Sequence, residues 1–176
     1  MTSRGTMFLI VGPSGAGKDT LIAAAQNARP DLFIAPRHIT RPATNGEHIE
    51  IDPEEFSEMK RLSRFLLNWD AHGLRYGISK DVEAELEAGK SVIVNGSRSV
   101  VNEARAEFSP IRIIHVVAPL DVLSRRLRDR GREDEDEIDH RIGRSSRLAP
   151  RGPDVVTIDN SGSVEDGVAA FLAALE

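Results

Sequence analysis

The chain has 176 residues, no cysteine, 40% hydrophobic residues, and 23 Lys and Arg against 28 Asp and Glu, a formal net charge of −5. That length fits one domain of roughly 100–200 residues with a core of its own. The lack of cysteine excludes disulfide frameworks, thiolate zinc sites and a cysteine nucleophile. The negative balance argues against non-specific nucleic-acid binding as the main role, so no nucleic-acid partner is expected. No apolar run approaches the roughly 18–20 residues of a membrane span, and Met7 to Val11 is too short for the core of a signal peptide. A cytoplasmic location with no membrane partner is therefore expected.

Met7-Phe8-Leu9-Ile10-Val11 reads as a strand buried on both faces, Gly12 to Gly17 as a tight loop, and Thr20 to Asn27 as a helix. Between Arg37 and Ile78 this rhythm breaks. Asp52-Pro53-Glu54-Glu55 has the chemistry of a helix start, with an Asp cap, Pro at N1 and Glu at N3. Phe65 to Ile78 then reads as a small antiparallel element turning at Gly73. Helices are expected over Lys80–Glu87, Val100–Phe108, Leu120–Arg130, Glu135–Arg144 and Val164–Leu175, with Ser79, Ser99 and Ser163 as caps and Gly89 as a C-terminal glycine. Ser91–Val94, Ile111–Ala118 and Asp154–Ile158 are the remaining strand candidates. Strands separated by helices imply right-handed crossovers and a parallel sheet covered on both faces. The charged stretch Gly131 to Asp136, between two helices, reads as a lid.

Gly12-Pro13-Ser14-Gly15-Ala16-Gly17-Lys18 matches G-x-x-x-x-G-K directly after a strand and at the opening of a helix, the context the motif requires. Glycines let successive N–H groups turn inward toward phosphates, the helix N-terminus adds partial positive charge, and Lys18 reaches the β- and γ-phosphates of a nucleoside triphosphate. The next position departs from the pattern: Asp19 stands where a Ser or Thr hydroxyl ordinarily serves Mg²⁺. Either Asp19 serves the metal, or it caps the helix and Thr20 supplies the hydroxyl. Both readings expect ATP with Mg²⁺.

Three later segments add a resemblance. Thr40-Arg41-Pro42 with Gly46-Glu47, Phe65 to Gly77 ending Arg75-Tyr76-Gly77, and Arg126-Leu127, Arg130-Gly131 and Arg141 resemble the acceptor segment, acceptor hairpin and arginine-bearing lid of the guanylate-kinase-like nucleoside monophosphate kinases. The resemblance implies an α/β fold: a P-loop NTPase three-layer architecture with a five-stranded parallel sheet, an acceptor-binding insertion and an arginine lid. It divides a single domain into a core (6–36, 80–130 and 147–176), an insertion (about 37–79) and a lid (about 131–146). It also implies roles for Lys18, Arg126, Arg130 and Arg141 in phosphoryl transfer.

The departures from that family concern the acceptor. Where guanylate kinases hold the guanine edge with a carboxylate, a hydroxyl and an acidic pair, this chain has Leu67, Ile78 and the neutral run Val94-Asn95-Gly96. Thr44 replaces a second acceptor arginine and His48 a phosphate-binding tyrosine. What remains is rich in phosphate ligands: Arg37, Arg41, Arg75 and Arg98 as anion clamps, with His38, His48, Asn68, His72, Tyr76 and Asn95 as further contacts. Gly-Lys-Asp in the loop, Ile39-Thr40-Arg41-Pro42, the hairpin from Trp69 to Gly77, and Val94 to Arg98 are similar to the ribose 1,5-bisphosphate phosphokinases of bacterial phosphonate degradation. That resemblance implies a phosphorylated ribose as acceptor, small molecules as partners, and compatibility with a homodimer. A guanylate kinase, a small-metabolite hydroxyl kinase and a non-catalytic guanylate-kinase-like binding module are the alternatives. The last usually has a degraded loop, whereas Gly12 to Lys18 is intact.

His115 falls in a buried-strand pattern and is expected in the core, and Glu133 to Glu137 is expected to be a solvated helix start. Asp159 to Ser163 lies where this fold class usually holds adenine.

Overall fold

The structure, a computed structural model, describes residues 3–143 and 149–176. Arg144, expected to end a helix, and residues 144–146 of the expected lid lie outside them, as do 147 and 148 of the core.

Strand β1 (Met7–Val11) is central and every residue of it is buried. Its side chains alternate between two cores, as the period of two in a strand requires: Met7, Leu9 and Val11 enter one, Phe8 and Ile10 the other. Around it stand β2 (Phe33–Ile34), β7 (Val92–Asn95), β8 (Ile111–Val117) and β9 (Val155–Asp159), all parallel, in the order β2-β7-β1-β8-β9. Helices α1 (Lys18–Ala28), α5 (Leu120–Arg130) and α7 (Val164–Ala174) contribute to the core on the Phe8 face through Leu21, Ile22, Leu123 and Phe171. On the other face lies α4 (Val101–Glu107), with Val101 and Ala104. The five-stranded parallel sheet is as expected.

Residues 37–79 build a second sheet that packs against the Met7 face. It has the order β4-β3-β6-β5, from β3 (Arg37–Ile39), β4 (Ile49–Glu50), β5 (Phe65–Ala71) and β6 (Leu74–Ser79). The β5–β6 hairpin closes on His72-Gly73, both at positive φ (53° and 72°), the two-residue turn whose twist suits flanking strands. Helix α2 (Pro53–Arg61) starts as its sequence dictates: the Asp52 side chain accepts hydrogen bonds from the backbone N–H of Glu54 and Glu55, with Pro53 at N1. Its buried Phe56 packs on Phe65, the ring centroids 4.6 Å apart.

Several boundaries differ from the sequence expectation. The two-residue β2 has no apolar run long enough to register as a strand, nor do β3 and β4. The stretch Lys80–Glu87 divides into a 3-10 turn (Lys80–Val82) and α3 (Glu83–Glu87). Ser79 and Ser163 do cap, but the cap before α4 is Ser97, whose hydroxyl accepts from the Ser99 N–H, because a 3-10 turn at Arg98–Val100 precedes the helix. The lid helix α6 (Glu135–Gly143) is held at its start by a reciprocal pair: Asp134 accepts from the Glu137 N–H, and Glu137 accepts from the Asp134 N–H.

Candidate active site

The loop between β1 and α1 is shaped by contacts that only glycine permits. At Gly12 (φ 154°) a Cβ would stand 2.2 Å from the Val116 carbonyl oxygen, and at Gly17 (φ 92°) 2.5 Å from the Asn160 amide nitrogen. Behind the loop, Asn160 Nδ2 donates to the Ala16 carbonyl at 2.7 Å. Arg126 Nη1 donates to Gly15 (3.2 Å) and Ala16 (3.4 Å), and Nη2 to the Asn160 carbonyl at 2.7 Å. Arg126, expected to touch the migrating phosphoryl, thus bonds carbonyls of the loop and of Asn160. Lys18 Nζ lies across the loop's opening residues, donating to Gly12 (2.8 Å) and Pro13 (3.1 Å). Its pKa falls from 10.5 to about 8, chiefly by burial. Arg37, Arg98 and Arg130 add to the fall, against the opposing pull of Asp19.

That list of neighbours defines the site electrostatically: four cations from four parts of the chain gather at one loop. Burial lowers the pKa of the Arg98 guanidinium. Asp19 Oδ1 accepts a 2.6 Å hydrogen bond from Asn95 Nδ2 and lies 3.5 Å from Arg37 Nη2. Asn95, at the end of β7, is buried, and its Oδ1 has no hydrogen-bond partner among the described residues. His115, aligned with Val11 on β8, is buried as expected, yet it sits close enough to Arg98 and Lys18 that both reinforce the burial that lowers its pKa. Its place on a buried strand gave no hint of charged neighbours.

The acceptor segment contributes unevenly. His72, at the hairpin tip, brings Nε2 to 3.4 Å from the Ser14 hydroxyl of the loop. Arg37 and Asn95 meet at Asp19, and Arg41 lies half-buried in the connection after β3. His48 is buried and donates from Nε2 to the Arg41 carbonyl at 2.9 Å, so it holds the backbone that carries Arg41. Asn68 and Arg75 stand apart, because alternate strand residues face opposite ways. Leu67, Trp69, Tyr76 and Ile78 pack toward the main core, whereas Arg75 turns to α2. There it donates to Ser57 Oγ (2.8 Å) and caps the Phe56 ring at 4.5 Å. Asn68 is opposite Gly77 on that same face. Tyr76 is stacked on Trp69 with rings 5.5 Å apart and 3° from parallel. His38 is held in the insertion core, edge-on to Phe65, with its pKa lowered by burial.

The stretch expected as a lid reaches toward the acceptor segment. Glu133, expected to be solvated with its acidic neighbours, has a side chain only 4% exposed, and its Oε1 accepts from both Arg130 and, at 2.6 Å, Arg141. Arg132 reaches Glu47 of the acceptor loop at 3.9 Å. His72, Asp134, His140 and Arg141 are among the residues lining a cleft of about 330 Å³ between hairpin tip and lid.

Chemically, this is a device for two polyanions. Asp19 and Glu133, the carboxylates nearest the cations, are both engaged by them and neither is placed as a base. Phosphoryl transfer to an already ionised phosphate needs none, only in-line positioning and charge stabilisation. Among the described residues no cluster of three or more His, Asp or Glu side chains could hold a metal alone. The oxygens of Asp19 and the unpartnered Asn95 Oδ1 suit Mg²⁺, which prefers one or two protein oxygens with the rest from phosphates and water.

A family model described as an AAA domain matches residues 9–145. The ribose 1,5-bisphosphate phosphokinase PhnN of Agrobacterium fabrum is 45% identical over 175 residues, covering 97% of this chain and 96% of that protein. A bifunctional ribose 1,5-bisphosphokinase-thymidine phosphorylase of Cupriavidus necator is 43% identical over 178 residues, covering 99% of this chain, which spans 30% of that protein's length. Among solved structures, a guanylate kinase from Anaplasma phagocytophilum superposes with a TM-score of 0.69 at 19% identity, covering 99% of this chain and 86% of that one, a likeness of fold alone.

Proposed function

The chain belongs to the ribose 1,5-bisphosphate phosphokinase family, within the larger family whose model is described as an AAA domain, and from that membership we propose its reaction. It transfers the γ-phosphate of ATP to the 1-phosphate of ribose 1,5-bisphosphate, giving 5-phospho-α-D-ribose 1-diphosphate and ADP, a step of phosphonate catabolism.

The observation that carries this acceptor is the pair Leu67 and Ile78. They face each other directly across the hairpin, both fully buried, beside the Trp69–Tyr76 stack. A guanine seated there would leave N–H donors unpaired at about 1–3 kcal/mol each. A sugar with two phosphates needs cations instead, and Arg37, Arg41 and Arg98 supply them.

In this reading the loop from Gly12 to Thr20 binds the donor, residues 37–79 bind the acceptor, and residues 131–146 form the lid. Lys18 and the loop N–H groups hold the β- and γ-phosphates. Arg130 and Arg141, both bonded to Glu133, meet the migrating group, and Arg126 with Asn160 fixes the loop's shape. Asp19 would hold Mg²⁺, which when bound would neutralise phosphate charge. His72 guards the hairpin edge of the donor loop.

The test is ADP release from ATP with ribose 1,5-bisphosphate or GMP as acceptor. Turnover with the sugar and little with GMP is expected; brisk turnover with GMP and none with the sugar refutes the assignment.

A further inference from the structure

Asp19 is bonded to elements that belong to neither end of its own helix. Asn95 comes from β7, and Arg37 is the first residue of β3, the strand that leads into the acceptor segment. One carboxylate oxygen therefore joins the donor loop to the acceptor side, and the Asp19 side chain is 82% exposed, whereas that of Arg37 is 22% exposed.

We infer that Asp19 couples the two substrates: it neutralises Arg37 until the donor's cation draws the carboxylate away, which releases Arg37 for the acceptor. This rests on the proposed reaction and adds an order to it. An acceptor phosphate approaching the free protein competes with a carboxylate already 3.5 Å from the guanidinium. With the nucleotide and its divalent ion in the loop, that carboxylate has a doubly charged partner and Arg37 presents its full charge. Asn95 is the pivot. Its Nδ2 holds Asp19 in the first arrangement. An ion pair this exposed is weak, so the expected coupling is modest, about three- to tenfold. Linkage makes it reciprocal: acceptor tightens donor by the same factor.

The experiment is isothermal calorimetry of ribose 1,5-bisphosphate into three samples. These are the protein alone, the protein with a non-hydrolysable ATP analogue in EDTA, and the protein with that analogue and magnesium. The wild-type protein should bind the sugar three- to tenfold more tightly in the third sample alone. Asp19→Ser, which keeps an oxygen for the metal and removes the charge facing Arg37, should bind it tightly in all three with no dependence on magnesium. Arg37→Gln should bind weakly in all three, again without dependence. A wild-type affinity indifferent to the magnesium complex, or a dependence that survives in Asp19→Ser, overturns the coupling while leaving the acceptor assignment intact. Absence of sugar binding in every sample, with the analogue still bound, overturns the acceptor assignment and the coupling with it.

Discussion

Lys18→Met should make the protein more stable while destroying its nucleotide site. In the fold the Lys18 pKa is about 8 against 10.5 ordinarily, because burial and three arginines disfavour the ammonium. Each pH unit of separation is worth about 1.36 kcal/mol, so holding Lys18 protonated at pH 7 costs at most about 3.4 kcal/mol. Partial exposure and the packing lost with the native side chain reduce the expected gain from Lys18→Met to about 1–2 kcal/mol. The sign follows from linkage. The unfolded chain binds the proton more tightly, so the penalty is complete below pH 8, relaxes between 8 and 10.5, and is gone above that. Urea denaturation of both proteins at pH 7 and at pH 10 checks it: Lys18→Met should be the more stable at pH 7, with the gap narrowing at pH 10. A variant less stable at pH 7, or a gap that widens with pH, would refute the picture of a charge stored at the loop for its ligand.

Two other substitutions probe the lid and the base of the core. Glu133→Gln leaves Arg130 and Arg141 facing a neutral amide. It should lower kcat by about tenfold with a smaller change in KM for ATP, and cost about 1–3 kcal/mol in stability; an unchanged kcat detaches these arginines from the chemistry. Asp154 takes a bidentate bond from Arg105, with both distances 2.7 Å, which holds its carboxyl below the usual carboxylate range. That stabilisation is present above pH 4 and lost as pH falls through the lowered value, so Asp154→Asn should cost about 1 kcal/mol at neutral pH and progressively less as the pH is taken below 4. Equal stabilities at pH 7 would contradict it.

The parts of the site that were legible in the sequence are those dictated by local chemistry. Gly12 and Gly17 are demanded by backbone conformation and close approach, Asp52 and Pro53 start α2 where they should, and α5 runs from Leu120 to Arg130 as its pattern implies. What escaped depends on contacts distant in the chain. Asp19 meets Asn95 across 76 positions, and no spacing announces that. In the run from Glu133 to Glu137 the composition is uniform, and only the fold decides that Glu133 is the member that turns inward. Arg75 is instructive because the signal existed: once Tyr76 and Ile78 are assigned to one face of a strand, the residue between them must take the other.

Asn160 ties together parts made at very different times. It donates to Ala16, blocks any side chain at Gly17, and leaves room only for glycine at 167, where a Cβ would come within 2.1 Å of its Oδ1. A ribosome translating this chain has therefore finished the nucleotide loop's residues long before the wedge that shapes them exists. Until α7 emerges, the nascent polypeptide should ignore nucleotide, so premature release would yield an inert fragment rather than one that sequesters ATP.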